Sequence, residues 1–253
     1  MKRVLRAYAG GLYVFLYAPL LVLAVFSFNR SRVAEWQGFT FDWYRLAAGD
    51  SALLESTINS LIIAVSATAI STVLGTLAAY ALWKRRAPVF TAGLYLSLVT
   101  PEIVTGVSLL LFFQAMFRLF PIHLGLHTVI LAHVAFCLVY VVTVVTARLR
   151  TMDRSLEEAA TDLGANEWTV FRRVTLPLLL PGVIAAALLC FIVSFDDYVI
   201  TSLVAGVDSE TLPMVIYAMA RKGVSPEVNA LSVIITVVLG FLILIAGKLE
   251  RVA

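Results

Sequence analysis

SLEEAATDLGANEWTVFRRVTLPLLLPG, residues 155–182, is the longest strongly polar stretch of an otherwise apolar chain, and it lies between two hydrophobic runs. Ser155-x-x-Glu158 has the form of a capping box, which starts a short helix at Ser155 or just after it. Ala159 and Ala160 set small side chains beside the Glu158 charge, so a partner can approach closely. Gly164 supplies a turn or helix stop. A second amphipathic piece, Glu167 to Val174, then leads through Leu176 and Pro177 into the next apolar run. A helix-turn-helix carrying Trp168, Val170, Phe171 and Val174 calls for a surface to pack against. A solvated loop whose charges only enforce topology leaves those four residues without a purpose.

The rest of the chain sets that loop in a membrane protein. Of 253 residues, 61% are hydrophobic and 14% charged, against roughly 25% charged in a soluble domain. About 20 apolar residues carry a helix across a hydrocarbon core of about 30 Å. Six runs qualify: 8–28, 57–82, 91–113, 127–147, 178–201 and 230–247. Backbone groups find no water in lipid, so these runs form helices, and the chain lacks the short alternating segments of a barrel. The first run exceeds the roughly 7–15 residues of a signal-peptide core and no cleavage site follows it, so it reads as a retained helix. Cys137 and Cys190 sit inside apolar runs without metal or disulfide spacing and read as small buried hydrophobes.

Lys and Arg counts orient the bundle. One side receives thirteen, among them Lys2, the Lys84–Arg86 turn, Arg148, Arg172, Lys248 and Arg251, and the other six, among them Arg30, Arg32 and Arg118. The excess places both termini and the 148–177 loop in the cytoplasm. On the opposite side, residues 29–56 hold Trp36, Phe39, Phe41, Trp43 and Tyr44, which suits either an interfacial anchor or a surface for an extracytoplasmic partner. Residues 202–229 include TLPMVIYAMARKG, too short and too charged to span, and fit a re-entrant or interfacial helix.

Glu158-Ala159-Ala160, three residues, Gly164, nine residues, then Val174-x-Leu176-Pro177 resembles the EAA loop of ABC importer permeases, EAA-x3-G-x9-I-x-LP, with Val174 in the isoleucine position. That resemblance implies an all-α membrane protein, a six-helix type I permease bundle. Residues 1–56 would form an N-terminal helix and external aromatic loop, and 57–253 a five-helix core with the coupling loop at 155–177. The coupling helix, with Glu158, Ala159, Ala160, Gly164, Leu176 and Pro177, would dock into an ATPase subunit. No G-x4-G-K-[ST] occurs in this chain, so ATP and Mg belong to that partner and the chain itself holds no cofactor.

WQGFTFDWY (36–44), TPEIVTGVSLLL (100–111), SFDDYV (194–199) and LPMVIYAMARKGVSPEVNAL (212–231) resemble the spermidine/putrescine importer permeases, the second permease subunit of those systems most closely. Acids inside apolar runs mark functional sites by default. Glu102 lies 16 residues past Arg86, about 24 Å along a straight helix, and Asp196 lies 15 past Pro181, about 22 Å along, with Asp197 one step further. All three therefore reach a similar depth and suit a cationic solute. They also fit a bland reading, in which neighbouring Ser, Thr or Tyr side chains satisfy them. Adjacent on a helix, Asp196 and Asp197 point about 100° apart, so one can bond to backbone while the other lines a path. The resemblance associates Trp36, Glu102, Ser194, Asp196 and Asp197 with substrate passage, and Tyr217 and Met219 with an external gate. His123, His127 and His133 do not share a helical face, which makes His133 a hydrogen-bonded structural residue rather than a ligand. Pro101 loosens the helix beside Glu102.

The expectation is a permease subunit of a binding-protein-dependent ABC importer in a bacterial cytoplasmic membrane. It would carry spermidine, putrescine or related cations by ATP-driven alternating access, without covalent chemistry of its own. A second, non-identical permease subunit, two ATP-binding subunits and an extracytoplasmic binding protein are its implied partners, and nucleic acid is not. Another amine or an opine-like solute fits the same acids. An ion-coupled secondary transporter, with the acids as relays, is the rival mechanism.

Overall fold

The computed structural model describes residues 2–31, 35–85, 87–120, 123–223 and 226–252, with the backbone alone for 239 and 242–252. Arg32 and Arg86, used in the charge count, lie outside the described residues, as do the side chains of Lys248 and Arg251. Among the described residues the regular structure is helical, apart from one antiparallel bridge between Asn29 and Phe39. The helices are α1 (Lys2–Phe26), α2 (Asp42–Gly49), α3 (Ser51–Lys84), α4 (Pro88–Val99), α5 (Glu102–Phe117) and α6 (Leu126–Leu149). They continue as α7 (Ser155–Asp162), α8 (Glu167–Val170), a π-helical turn (Phe171–Thr175), α9 (Leu176–Asp196), α10 (Val199–Val204), α11 (Leu212–Arg221) and α12 (Pro226–Val252).

Four helical stretches, α1, α3, α6 and Glu167–Asp196, are long and apolar enough to cross a membrane. The pair α4 and α5 passes the same test together, but is bent by 112°. Here the structure departs from the straight 91–113 span. Pro101 has no N–H to give and its ring pushes the preceding residue out of the helical region; Thr100 accordingly sits at ψ 127°. Glu102 therefore opens α5, and the 24 Å of straight-helix rise does not apply to it. The 178–201 span is interrupted as well. α9 ends at Asp196, Asp197 is extended at ψ 127°, and the six-residue α10 follows.

The chain divides into two compact units, Met1–Glu55 with Val215–Leu242 and Ser56–Met214 with Ile243–Ala253. Residues 215–242, expected within a 57–253 core, thus group with the N-terminal segment. In that first unit Asn29 is buried at the centre of the aromatic segment. Its side chain accepts from the Gln37 N–H (3.0 Å) and donates to the Glu35 carbonyl (2.9 Å), and its own carbonyl takes the Trp43 indole N–H (2.8 Å). Phe28 stacks on Phe39 at 4.9 Å and meets Tyr44 at 5.1 Å. The aromatic cluster is a folded platform that still leaves Trp36, Phe39 and Phe41 half exposed.

The second unit is built on α6. Val141, Val145 and Leu149 pack with Ala79 of α3 and with Leu179, Ala186 and Cys190 of α9, and Cys137 and Cys190 are both fully buried in this core. Nearer α10, Ile63, Phe113, Val129, Ala132, Ile200 and Val204 form a second cluster. Gly106 lets α5 approach α10: a Cβ there would stand 2.6 Å from the Leu203 side chain and 3.4 Å from the Ile200 Cα. By contrast, no described side chain of α1 or α4 is buried, and Val89 and Val99 are 82% and 80% exposed. Apolar surface of this extent is covered by lipid or by neighbouring helices.

Candidate functional site

The two helix breaks meet. A cavity of about 430 Å³ in the second unit is walled by Ser97 and Thr100 at the end of α4, Glu102 at the start of α5, Tyr140 of α6, and Asp196 and Asp197 at the end of α9. The C-termini of α4 and α9 and the N-termini of α5 and α10 meet here, so the helix ends bring partial charges of both signs and the net acidity comes from the carboxylates. Glu102 and Asp196 are exposed, and among the described residues neither makes a hydrogen bond or ion pair. Their carboxylates are available to a ligand.

Asp197 is occupied. Its carboxylate accepts from the Thr201 N–H (2.8 Å), the Thr201 hydroxyl (2.7 Å) and the Ile200 N–H (3.4 Å), capping α10. The Thr201 hydroxyl spends its one proton on Asp197, so its oxygen accepts from His133 Nε2–H at 2.9 Å. Nδ1, on the other side of the ring, lies 2.7 Å from the Ser194 hydroxyl. His133, Ser194 and Thr201 are buried, and His133 Nε2 lies 3.5 Å from the Asp197 carboxylate. This chain of bonds ties α6 to both sides of the α9–α10 break. Ser194 is not among the residues that wall the cavity.

The polar loop has a different internal logic from the capping box. α7 does start at Ser155, but the Ser155 N–H is taken by the Asp153 carboxylate at 3.0 Å, and no capping box forms. That N–H, with the Ser155 hydroxyl, holds the Asp153 carboxyl below its ordinary range. Gly164 takes φ +84°, the left-handed turn that ends α7 and that a side chain would strain. Asn166 then caps α8 by accepting the Thr169 N–H at 2.8 Å.

Glu158 and Ala159 are exposed, Ala160 is half-buried, Leu176 is half-buried and Pro177 exposed. Val170 and Phe171 do not wait for a partner, because both are buried inside this chain and the Phe171 ring lies 4.8 Å from Tyr80 of α3. The apolar surface left over is Leu156, Leu163 and Trp168, the last two 90% and 64% exposed. Sequence reasoning missed Glu157. It is buried, it pairs with Lys84 at 2.5 Å, and it accepts the Thr175 hydroxyl.

Trp36 lies in the first unit, half exposed, with its ring edge-on to Phe26 at 6.3 Å. Tyr217 and Met219 lie on α11, ten residues long and too short to span. The Arg221 guanidinium stands 5.1 Å from the Tyr217 ring, and Met219 is half-buried.

Residues 71–249 match the family described as binding-protein-dependent transport system inner membrane component. The chain belongs to this family. As such an inner membrane component it is a multi-pass permease that works with ABC importer partners, as the EAA spacing from Glu158 to Pro177 led one to expect. It is similar to the spermidine/putrescine transport system permease protein PotC of Escherichia coli (strain K12), 41% identical over 252 residues, 98% of this chain and 94% of that protein. It is also similar to the putrescine transport system permease protein PotI of the same organism, 42% identical over 244 residues, 94% of this chain and 87% of that protein. Its fold is that of a permease chain in the crystal structure of a bacterial alginate ABC transporter in complex with an alginate pentasaccharide-bound periplasmic protein. There the TM-score is 0.76 at 16% identity, over 99% of this chain and 95% of that one.

Proposed function

We propose that this inner membrane component translocates polyamines or closely related organic cations, with Glu102 and Asp196 as the groups that receive the ammonium ends. The observation that carries the reading is the cavity between two helix breaks, walled by two carboxylates that have no partner among the described residues. At an effective dielectric of about 20, an ammonium 4 Å from one carboxylate gains about 4 kcal/mol before desolvation. Two such carboxylates favour a solute with two separated charges over one with a single charge. The spermidine and putrescine named for two relatives of about 40% identity support the same class.

Interrupted helices commonly frame transporter binding sites, and α4–α5 and α9–α10 place such breaks at Thr100–Pro101 and Asp197–Tyr198 at the cavity wall. Half a pathway needs a second, non-identical permease subunit. In this reading one of the assembly's two ATP-binding subunits docks at the exposed face of α7 and Trp168, both termini lie in the cytoplasm, and an extracytoplasmic binding protein delivers the solute. ATP and Mg are held by the docking partners. Trp36, Tyr217 and Met219 belong to the delivery side.

The test is uptake into proteoliposomes holding the assembled transporter, with ATP inside the vesicles and the loaded binding protein outside. Labelled putrescine and spermidine enter only with ATP. Uptake of a neutral sugar in preference to either, or uptake of putrescine driven by an ion gradient without ATP, contradicts the proposal.

A further inference from the structure

The buried acid of the loop, Glu157, faces inward, opposite to Glu158, which is exposed. Three elements converge on its carboxylate. Lys84, the last residue of α3, reaches one oxygen at 2.5 Å, and the Thr175 hydroxyl, at the end of the π-helical turn that leads into α9, donates to the other. The Glu157 side chain itself hangs from α7. The Lys84 ammonium is steered by two rings of its own helix, standing 5.6 Å from the centres of both Tyr80 and Trp83. Tyr80 in turn packs on Phe171, and Phe171 on Trp168 at 5.7 Å. Arg154, just before α7, donates to the Trp83 carbonyl at 3.1 Å and lies over the Trp83 ring at 4.6 Å. Among the described residues, the polar bonds that fasten the inner face of α7 to the bundle run to the end of α3 and the base of α9. The segment between α8 and α9 is a π-helical turn, a form frequent at functional sites.

We infer that Glu157 is a positioning residue that transmits movement of α7 to α3 and α9, through its ion pair with Lys84 and its bond to Thr175. This rests on the reading that an ATPase docks on the outer face of α7. α3 and α9 are the two long helices that this latch reaches, and α9 ends at Asp196 on the cavity wall. A displacement of α7 by a docked partner would then be felt at the cavity as a shift of the α9 end. A latch of charge with hydrogen bond suits that role. It is directional, and loss of the exposed Lys84 leaves the buried Glu157 carboxylate without its counter-charge.

The experiment uses the assembled transporter carrying Glu157→Gln, Lys84→Met or Lys84→Arg in this chain. Three quantities are read: co-purification of the ATPase, ATP hydrolysis stimulated by the loaded binding protein, and putrescine taken up per ATP hydrolysed. In Glu157→Gln and Lys84→Met the ATPase stays bound and hydrolysis stays within about threefold of the parent. Uptake per ATP falls at least tenfold, and Lys84→Arg, which keeps the charge, recovers most of it.

Uptake per ATP unchanged in Glu157→Gln overturns the inference. So does loss of the ATPase together with transport, which makes Glu157 part of docking or of folding alone. If Glu157→Gln does not insert, the contrast between Lys84→Met and Lys84→Arg decides, and equal values for the two overturn the inference. The docking reading fails separately, when Glu158→Lys leaves the ATPase bound and uptake normal.

Discussion

Asp196 and Asp197 are neighbours in sequence with opposite employment, and replacing each in turn separates them. Asp197→Ala removes the cap of α10, worth about 1 kcal/mol. It also leaves the buried Thr201 hydroxyl without its acceptor, about 1–3 kcal/mol more. The expected loss is about 2–4 kcal/mol, concentrated at the α9–α10 break. Asp197→Asn keeps an oxygen for the Thr201 N–H and, as asparagine caps about as well as aspartate, costs about 1 kcal/mol. Asp196→Asn breaks no hydrogen bond among the described residues and stays within about 0.5 kcal/mol of the parent, while uptake of putrescine falls.

The assay is unfolding of the purified protein by sodium dodecyl sulfate, followed by tryptophan fluorescence, alongside uptake by the same preparations. If Asp197→Ala proves as stable as Asp196→Asn, the capping network does not hold the break. If Asp196→Asn is the less stable of the two, the division of labour between the carboxylates is wrong.

Other predictions follow from other parts of the chain. Glu158→Lys reverses an exposed charge on α7 and should abolish ATPase co-purification while membrane insertion, read by fractionation, stays normal. Gly106→Val drives a side chain into Leu203 and Ile200. It should destabilise the protein by about 1–3 kcal/mol in the same detergent titration, whereas a valine at the unobstructed Gly93 of α4 should cost less than about 1 kcal/mol. Trp168→Ala removes an exposed ring rather than core, so it should weaken ATPase co-purification and leave the unfolding midpoint within about 0.5 kcal/mol.

Composition and hydropathy made the membrane class and the α-helical fold legible, because backbone groups in lipid have few alternatives to a helix. The EAA spacing made the family legible. The two breaks were not, since a hydropathy window registers what a segment is made of and not where its dihedrals turn. Pro101 carried a signal that was read as loosening rather than as a bend of 112°. Asp197 followed by Thr201 carried one too, as an N-cap inside a run that read as continuous helix.

The pairing of His133 with Ser194 and Thr201 joins residues far apart in sequence, and only packing of α6 on α9 and α10 brings them together. The choice between Glu157 and Glu158 has the same origin. Which of two adjacent acids is buried depends on how α7 is rotated against Lys84, a residue on another helix. Of the residues read as surface for a partner, Phe171 packs on Tyr80 and Val170 is buried within the chain.

The central claim is that Glu102 and Asp196 receive a cationic solute, and initial rates of ATP-dependent putrescine uptake by proteoliposomes carrying the Glu102→Gln/Asp196→Asn double variant test it most directly. The account predicts a fall of at least tenfold with the ATPase still bound. Parental uptake by that double variant would contradict it.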